Sequence, residues 1–365
     1  MDAGAPWLGS IEATMAALTT QPRSTDRRTV RRGATELSRR SKIGLYAVLM
    51  FWALVVLLPL YWIVTTSLKS PIQVNDGPYY IPFVDFKPNL DAWHWALGTE
   101  GGQTRRAFVN TVVVGLGAAV LTVGVGALAS YGLSRLKYRP RMASVIAFIG
   151  GGAAAIVFIA FGLPWQLAGA LGMGIFAMSV ATWARRFEVR LSNDDISFWL
   201  ISQRILPPIA IVLPLYVFFQ QLSLLDTQVA LIIAYVGANV PIAIWLLRDF
   251  FATIPLDLEE SAAMEGATRF QTLRKIIIPL AVPGLVATFL FVLVFTWNEY
   301  LIATVLASAH AQTMPLMIVA QNATRGPQWW NMSVLILIMS TPVVVIAFFL
   351  ERYIERGMLV GAIKH

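Results

Sequence analysis

Three neighbouring residues, Trp297, Asn298 and Glu299, set an aromatic face, an amide and a carboxylate side by side in an otherwise apolar run, "WNEYLIA". One use of such a trio is to stack on a sugar face while its hydroxyls are taken up by the polar neighbours. The other is an interfacial tryptophan next to polar groups that are already satisfied, with Glu299 as a solvated mouth residue. Asn239, two residues before Pro241, places a further polar group where polar groups are costly. The rest of the chemical inventory is sparse. His94, His310 and His365 are scattered and cysteine is absent, so no metal site is expected. No glycine-rich loop ends in Lys-Ser or Lys-Thr, and there is no nucleophile elbow, no HExxH and no carboxylate pair in a polar setting. Asp194 and Asp195 are adjacent acids read as solvated. No catalytic residue is assigned, and the expected chemistry is translocation of a solute rather than bond-making.

The elements that must hold these residues are membrane spans. The 365-residue chain is 57% hydrophobic and 13% charged, where a soluble domain carries about 25% charged residues. Apolar runs predict eight helical spans near 43–67, 107–134, 143–162, 166–184, 198–219, 228–247, 280–304 and 331–350. The fold class is an all-α polytopic membrane protein. Of 28 Lys and Arg residues, 22 fall in segments 1–42, 135–142, 185–197, 248–279 and 351–365, against five on the other side (Lys69, Lys87, Arg105, Arg106 and Arg325). This asymmetry puts both termini in the cytoplasm. It also accounts for the net charge of +8 without nucleic acid, since no basic surface is interleaved with stacking aromatics. Arg204 is left inside a span, close enough to its end to snorkel toward the cytoplasm.

The organisation that follows begins with a basic, disordered cytoplasmic tail over 1–42, whose arginines suit membrane lipid or a topology anchor. No cleavable signal sequence is read in it. The first two spans and a long outer loop occupy 43–142. That loop, 68–106, is rich in Pro and Trp, which suits an external partner or simple headgroup anchoring. A hairpin of two spans over 143–197 has no ionisable group in "IGGGAAAIVFIAFGLPWQLAGALGMGIFAMSVAT" and is read as scaffold. The remaining spans fill 198–350, and a short cytoplasmic tail, 351–365, ends the chain.

One polar stretch, "EESAAMEGATRFQTLRKIIIPLAVPG" at 259–284, interrupts the spans on the cytoplasmic side. Pro255 marks a helix start and Gly266 its end, giving a small-faced helix over 256–267. Thr268 can cap a second short helix, which Pro279 is expected to break. A helix faced by Ser261, Ala262 and Ala263 lets another protein's backbone approach closely, and its first-turn acids can meet basic groups of that partner. The physical reading is a docking element.

The same stretch resembles the signature of permease subunits of ATP-binding-cassette importers: Glu-Ala-Ala, three residues, Gly, nine residues, then Ile-x-Leu-Pro. Here Glu260, Ser261 and Ala262 begin it, and Gly266, Ile276 and Pro279 continue it, with Ser261 and Ile278 as mild departures. "TSLK" at 66–69, Asn110, "YGLSRLKYR" at 131–139, "LPPIAIVLPLYVFF" at 206–219, "PIAIWLLRDFF" at 241–251 and "RGMLVGAIK" at 356–364 look like the carbohydrate branch, maltose-type second permeases in particular. The resemblance implies a six-helix core, to which the 143–197 hairpin is an insertion. It implies that Glu259, Glu260, Ser261, Ala262, Ala263, Met264, Glu265, Gly266 and Ala267 form a coupling helix against an ATPase subunit. The implied partners are a second permease, two ATPase subunits and an extracytoplasmic sugar-binding protein, in a bacterial cytoplasmic membrane. ATP and Mg would sit on the ATPase, with no cofactor on this chain. Asn239, Trp297, Asn298 and Glu299 are the pathway candidates, although the family's partner permease can hold most of the solute. The "GAIKH" tail is either a further ATPase contact or a basic anchor. The rivals are an ion-coupled secondary transporter, a membrane glycosyltransferase and an importer of a non-sugar solute.

Overall fold

The computed structural model describes residues 39–136, 139–183, 186, 189–323 and 326–362. The first 38 residues of the expected N-terminal tail and the last three of the C-terminal tail lie outside the described residues. The chain divides into two units, Met1–Trp62 and Ile63–His365. What is described of the first is an apolar helix, α1 (Arg39–Thr66), whose last turn belongs to the second.

In the larger unit, the long helices are α2 (Gly101–Arg135), the hairpin α3 (Met142–Ala160) and α4 (Trp165–Thr182), α5 (Asn193–Ser202), α6 (Pro208–Gln221), α7 (Gln228–Thr253), the short α8 (Asp257–Met264), α9 (Ile278–Trp297) and α10 (Trp329–Ala362). Among the described residues, seven helices are long and apolar enough to cross a membrane, or eight if one sharply bent pair counts as a span. The only strands among the described residues are two-residue pieces, Asn322–Ala323 against Gly326–Pro327. α2 is the central helix, packed along α7 and against α9. Val292, Leu293, Trp297, Val334, Leu335 and Met339 bury one side of this bundle, while Leu247, Phe251, Leu273 and Ile277 bury the end near α8. Only this protein–protein burial, not burial in general, drives helix association, because lipid solvates the outer faces equally well.

The seventh span, expected over 280–304, ends at Trp297 ahead of a separate short helix, Leu301–Leu306; the other expected spans hold with two further corrections. The fifth, expected as one helix over 198–219, is broken: α5 continues through a tight turn to Ile205, and α6 leaves at 90°. Pro207 and Pro208 explain the break. Each lacks an N–H and forces the residue before it out of the helical region, as in the extended backbone of Leu206 and Pro207. In the second correction, Pro279 does not break the helix ahead of α9. Thr268 does cap a turn, Arg269–Thr272, in a reciprocal box with Gln271. That turn then widens to a π-helical turn, Leu273–Ile277, and runs directly into α9 with Pro279 in its first turn. The wider turn relieves the clash a proline ring makes with the carbonyl four residues back.

The hairpin helices pack on each other far more than on any other element. A Cβ on Gly172 would lie 2.5 Å from the Gly151 carbonyl oxygen and 2.8 Å from the Ala155 Cβ, so the two backbones meet at a point only glycine permits.

Candidate functional site

The docking helix is built as its residues dictate. Asp257, Glu259 and Glu260 occupy the first turn of α8, where the helix dipole favours acids. Its end is a left-handed cap. Gly266 sits at φ +82°, its N–H donates to the Ala263 carbonyl at 3.0 Å, and Ala267 N–H donates to the Ala262 carbonyl at 3.0 Å. This is the double bond of a Schellman motif, and it fixes the chain reversal after Met264.

The nine expected coupling residues divide into an anchor and a free face. Ala262 is buried, and Glu259 and Ala267 are half-buried. Glu259 does not face a partner, contrary to the expectation that first-turn acids meet one. Its Oε1 accepts from Arg135 Nε at 2.5 Å and its Oε2 from the Tyr131 hydroxyl at 2.9 Å. Arg135 also donates from Nη2 to the Ile254 carbonyl at 2.8 Å, and its side chain is only 12% exposed. The end of α2 thus grips both α8 and the exit of α7. Glu260, Ser261, Ala263, Met264, Glu265 and Gly266 remain exposed, and Met264, at 90%, presents a bare thioether chain at the tip. Sequence reasoning missed the anchor, because residues 124 and 128 positions away from Glu259 give no local signal.

The expected pathway residues are not brought together. Trp297 is 2% exposed; its indole N–H donates to the Met339 carbonyl at 2.9 Å, and its ring covers Gly115 of α2. It has no face to offer a solute. Glu299 is half-buried and accepts from Ile302 N–H at 2.9 Å and Ala303 N–H at 3.1 Å, so it starts the short helix Leu301–Leu306. Asn298 is exposed and donates to the Val294 carbonyl at 2.8 Å.

Asn239 has a different neighbour. Its Nδ2 donates to the Tyr235 carbonyl at 2.9 Å, and its Oδ1 accepts from Arg204 Nη1 at 3.3 Å. The Arg204 guanidinium lies 5.1 Å from the ring centre of Phe295, which packs at a tilt against Phe291 with ring centres 4.7 Å apart. Arg204 therefore does not snorkel outward: the break at Pro207 lets the α5 end turn it inward to α7. Asn239 is eleven residues from one end of α7 and fourteen from the other, placing it roughly 16 and 21 Å from those ends at 1.5 Å per residue. This is mid-depth. A cation here, exposed beside the exposed Phe295 ring, is incompatible with hydrocarbon and marks a water-filled path or a protein neighbour.

At the other end of the bundle from α8, a loop folds back between Leu306 and Met314. Asn110 Nδ2 donates to the His310 and Gln312 carbonyls, each at 2.8 Å, while Asn110 Oδ1 accepts from Gln228 at 2.7 Å. Asp226 collects the N–H groups of Ser308, Ala309, His310 and Ala311. Burial alone would raise its carboxyl, but the four backbone donors hold it well below the usual carboxylate range. Asp226→Asn is expected to cost about 2 kcal/mol, the scale of one or two charge-assisted bonds, read as a lower Tm of the purified chain. The sign of the pH dependence follows from the lowered pKa. The stabilisation is complete above the unfolded value of about 3.9 and fades as pH falls below it, so the gap between wild type and variant stays flat near neutrality and closes only in acid. A gap that closed near pH 6 would assign the effect to another group.

With this geometry in place, comparison with known proteins gives a consistent result. A family model described as binding-protein-dependent transport system inner membrane component matches residues 171–360, just over half of the chain. A probable ABC transporter permease of Sinorhizobium fredii is 29% identical over 318 residues, covering 86% of this chain and 94% of that protein. The trehalose/maltose transport system permease MalG of Thermococcus litoralis is 26% identical over 333 residues, covering 90% and 98%. The trehalose transport system permease SugB of Mycobacterium tuberculosis is 28% identical over 313 residues, covering 84% and 92%. A crystal structure of a bacterial ABC transporter involved in import of the acidic polysaccharide alginate has a chain that superposes with a TM-score of 0.55 at 22% identity, covering 87% of this chain and 99% of its own. That superposition speaks for the fold. The chain belongs to the family of binding-protein-dependent transport system inner membrane components and is a multi-pass ABC transporter permease subunit.

Proposed function

We propose that this permease carries a mono- or oligosaccharide into the cytoplasm, paired with a second permease, driven by two ATPase subunits beneath α8 and supplied by an external sugar-binding protein. The observation that carries the reading is α8 itself. It is a capped helix tied by Glu259 and Arg135 to the end of α2, with Met264 and the small residues around it left bare. An apolar knob on a rigid mount suits a cleft in a partner, because little conformational freedom is lost on docking. The sugar class is supported by the trehalose, maltose and diacetylchitobiose systems to which the permease relatives belong. The excess of Lys and Arg at the α8 end supports a cytoplasmic position for that end and for both termini.

In this reading ATP and Mg are held by the ATPases, and this chain transmits their motion. Closure of the ATPases draws α8 inward. Arg135 passes the displacement to α2, which runs 35 residues to the far side of the bundle. Arg204 and Asn239, at mid-depth, offer hydrogen bonds to hydroxyls, and Phe295 adds an aromatic ring beside the guanidinium.

Co-purification tests the docking. The chain is expressed with its candidate ATPase and second permease and captured by a tag on this chain. Gly266→Pro forbids φ +82° and should lower ATPase recovery by at least about tenfold, the scale of losing an interface hot spot; Glu260→Ala should weaken it less. Absence of ATPase from a sample that still holds the second permease would sink the importer reading and favour an ion-coupled transporter.

A further inference from the structure

The base of the α3–α4 hairpin closes through a short backbone pairing on the same end of the molecule as α8. Met142 N–H donates to the Val189 carbonyl at 2.9 Å and Leu191 N–H to the Pro140 carbonyl at 2.9 Å, which makes Arg141 and Arg190 direct partners. Bonds on either side of the pair, rather than within it, define the narrow kind of antiparallel site, where opposed side chains are closest. Like charges directly opposite are destabilising. Neither arginine has an ion-pair partner among the described residues, whose two salt bridges join Arg135 to Glu259 and Arg248 to Asp194. Arg139 and Arg186, both exposed, add to the same end.

Beside this pair lies a cleft of about 620 Å³ between the hairpin and α5. Arg190 and Asp195 are its charged members, and its walls are apolar, with Ile146, Ile149, Phe198 and Trp199 among them. Asp195 is occupied in the helix cap, accepting from Ser192 N–H and hydroxyl at 2.8 Å each. Arg190 on the cleft wall, with Arg141 opposite it in the backbone pairing, sets basic charge beside an apolar slot at the basic end of the hairpin, a two-part site suited to a headgroup and an acyl chain.

We propose that this cleft binds one anionic phospholipid, with its phosphate between Arg141 and Arg190 and an acyl chain against Ile149 and Trp199. The lipid's negative charge removes the repulsion across the pair and ties the hairpin to α5. The site stands independently of the sugar reading; only its assignment to the cytoplasmic leaflet rests on the orientation proposed above.

Native mass spectrometry of the full chain, released from micelles containing phosphatidylglycerol or phosphatidylcholine, tests it. Wild type should retain one phosphatidylglycerol in preference to phosphatidylcholine. The double variant Arg141→Gln/Arg190→Gln should bind it roughly thirtyfold more weakly, at the known worth of two basic residues near an anionic surface. Arg105→Gln/Arg106→Gln, at the other end of α2, should leave retention unchanged. Ile149→Trp fills the cleft while sparing both arginines, and should also release the lipid. Equal retention of the two lipids, equal loss in the two arginine variants, or undiminished binding in Ile149→Trp would each overturn the proposal. Displacement by soluble glycerol phosphate at equal concentration would overturn it too, by assigning a free anion instead.

Discussion

Glu259→Ala should uncouple the transporter, reducing substrate-stimulated ATP hydrolysis of the assembly in proteoliposomes by more than about a hundredfold while the spans stay folded. The expectation rests on burial. Arg135 and Glu259 are 12% and 14% exposed, and removing one partner of such a pair leaves the other charged and uncompensated, a loss of about 3–5 kcal/mol. The cost falls on the joint between α2 and α8 rather than on the bundle core, so it should appear as new protease cleavage within 254–268 before any change in Tm. Arg135→Ala should behave alike. The apolar pair Arg135→Met/Glu259→Leu should recover part of the coupling, because a buried ion pair can often be exchanged for packed apolar groups. Recovery should stay partial, since the Tyr131 hydroxyl and the Ile254 carbonyl each lose a partner. Full uptake by Glu259→Ala would show that α8 is positioned by something else.

Arg204→Met should have the second largest effect, and in two opposite directions. Transport should fall by about tenfold to a hundredfold, the range set by one or two charge-assisted hydrogen bonds to a solute. Thermal stability in detergent should hold or rise, since a mid-depth cation is costly and methionine fills the same space without charge. This opposition is what separates a pathway residue from a structural one. A purely structural Arg204, valued for its bond to Asn239 and its place over Phe295, predicts lower Tm together with lower transport. Transport equal to wild type, measured with assembly intact, would remove Arg204 from the pathway. Asn239→Ala should reproduce a weaker form of the same phenotype, because Asn239 holds the guanidinium in place.

The spans were legible because lipid imposes a simple demand: about twenty apolar residues with every backbone bond closed inside the helix. The helix α8 was legible because its signals are local: Pro255, first-turn acids and Gly266 all act within a few residues of where they stand. The corrections arise where local signals compete. Residues 198–219 read as one apolar run, yet Pro207 and Pro208 outweigh hydropathy and split it. Pro279 carried the opposite error, read as a breaker although the π-helical turn ahead of it takes up the clash its ring would make. Trp297 shows a third limit. Its spacing next to Asn298 and Glu299 suggested a stacking platform, but Gly115, 182 positions earlier, decides which way its ring is covered. Arg204 was read from its distance along a helix that the structure does not continue, and so its direction was not available to the sequence.

The π-helical turn at Leu273–Ile277 lies between the docking helix and α9, and such a turn is an α-helix carrying one surplus residue. It makes segment length, not residue identity, the sensitive variable there. Deleting the surplus residue itself would leave the flanking turns nearly in phase, whereas deleting one residue of Arg269–Thr272 would rotate everything before it by about 100° about the axis of α9. The Thr268 cap, Gly266 and Met264 would then point a quarter-turn or more away from the proposed ATPase contact, although every one of those side chains was unchanged.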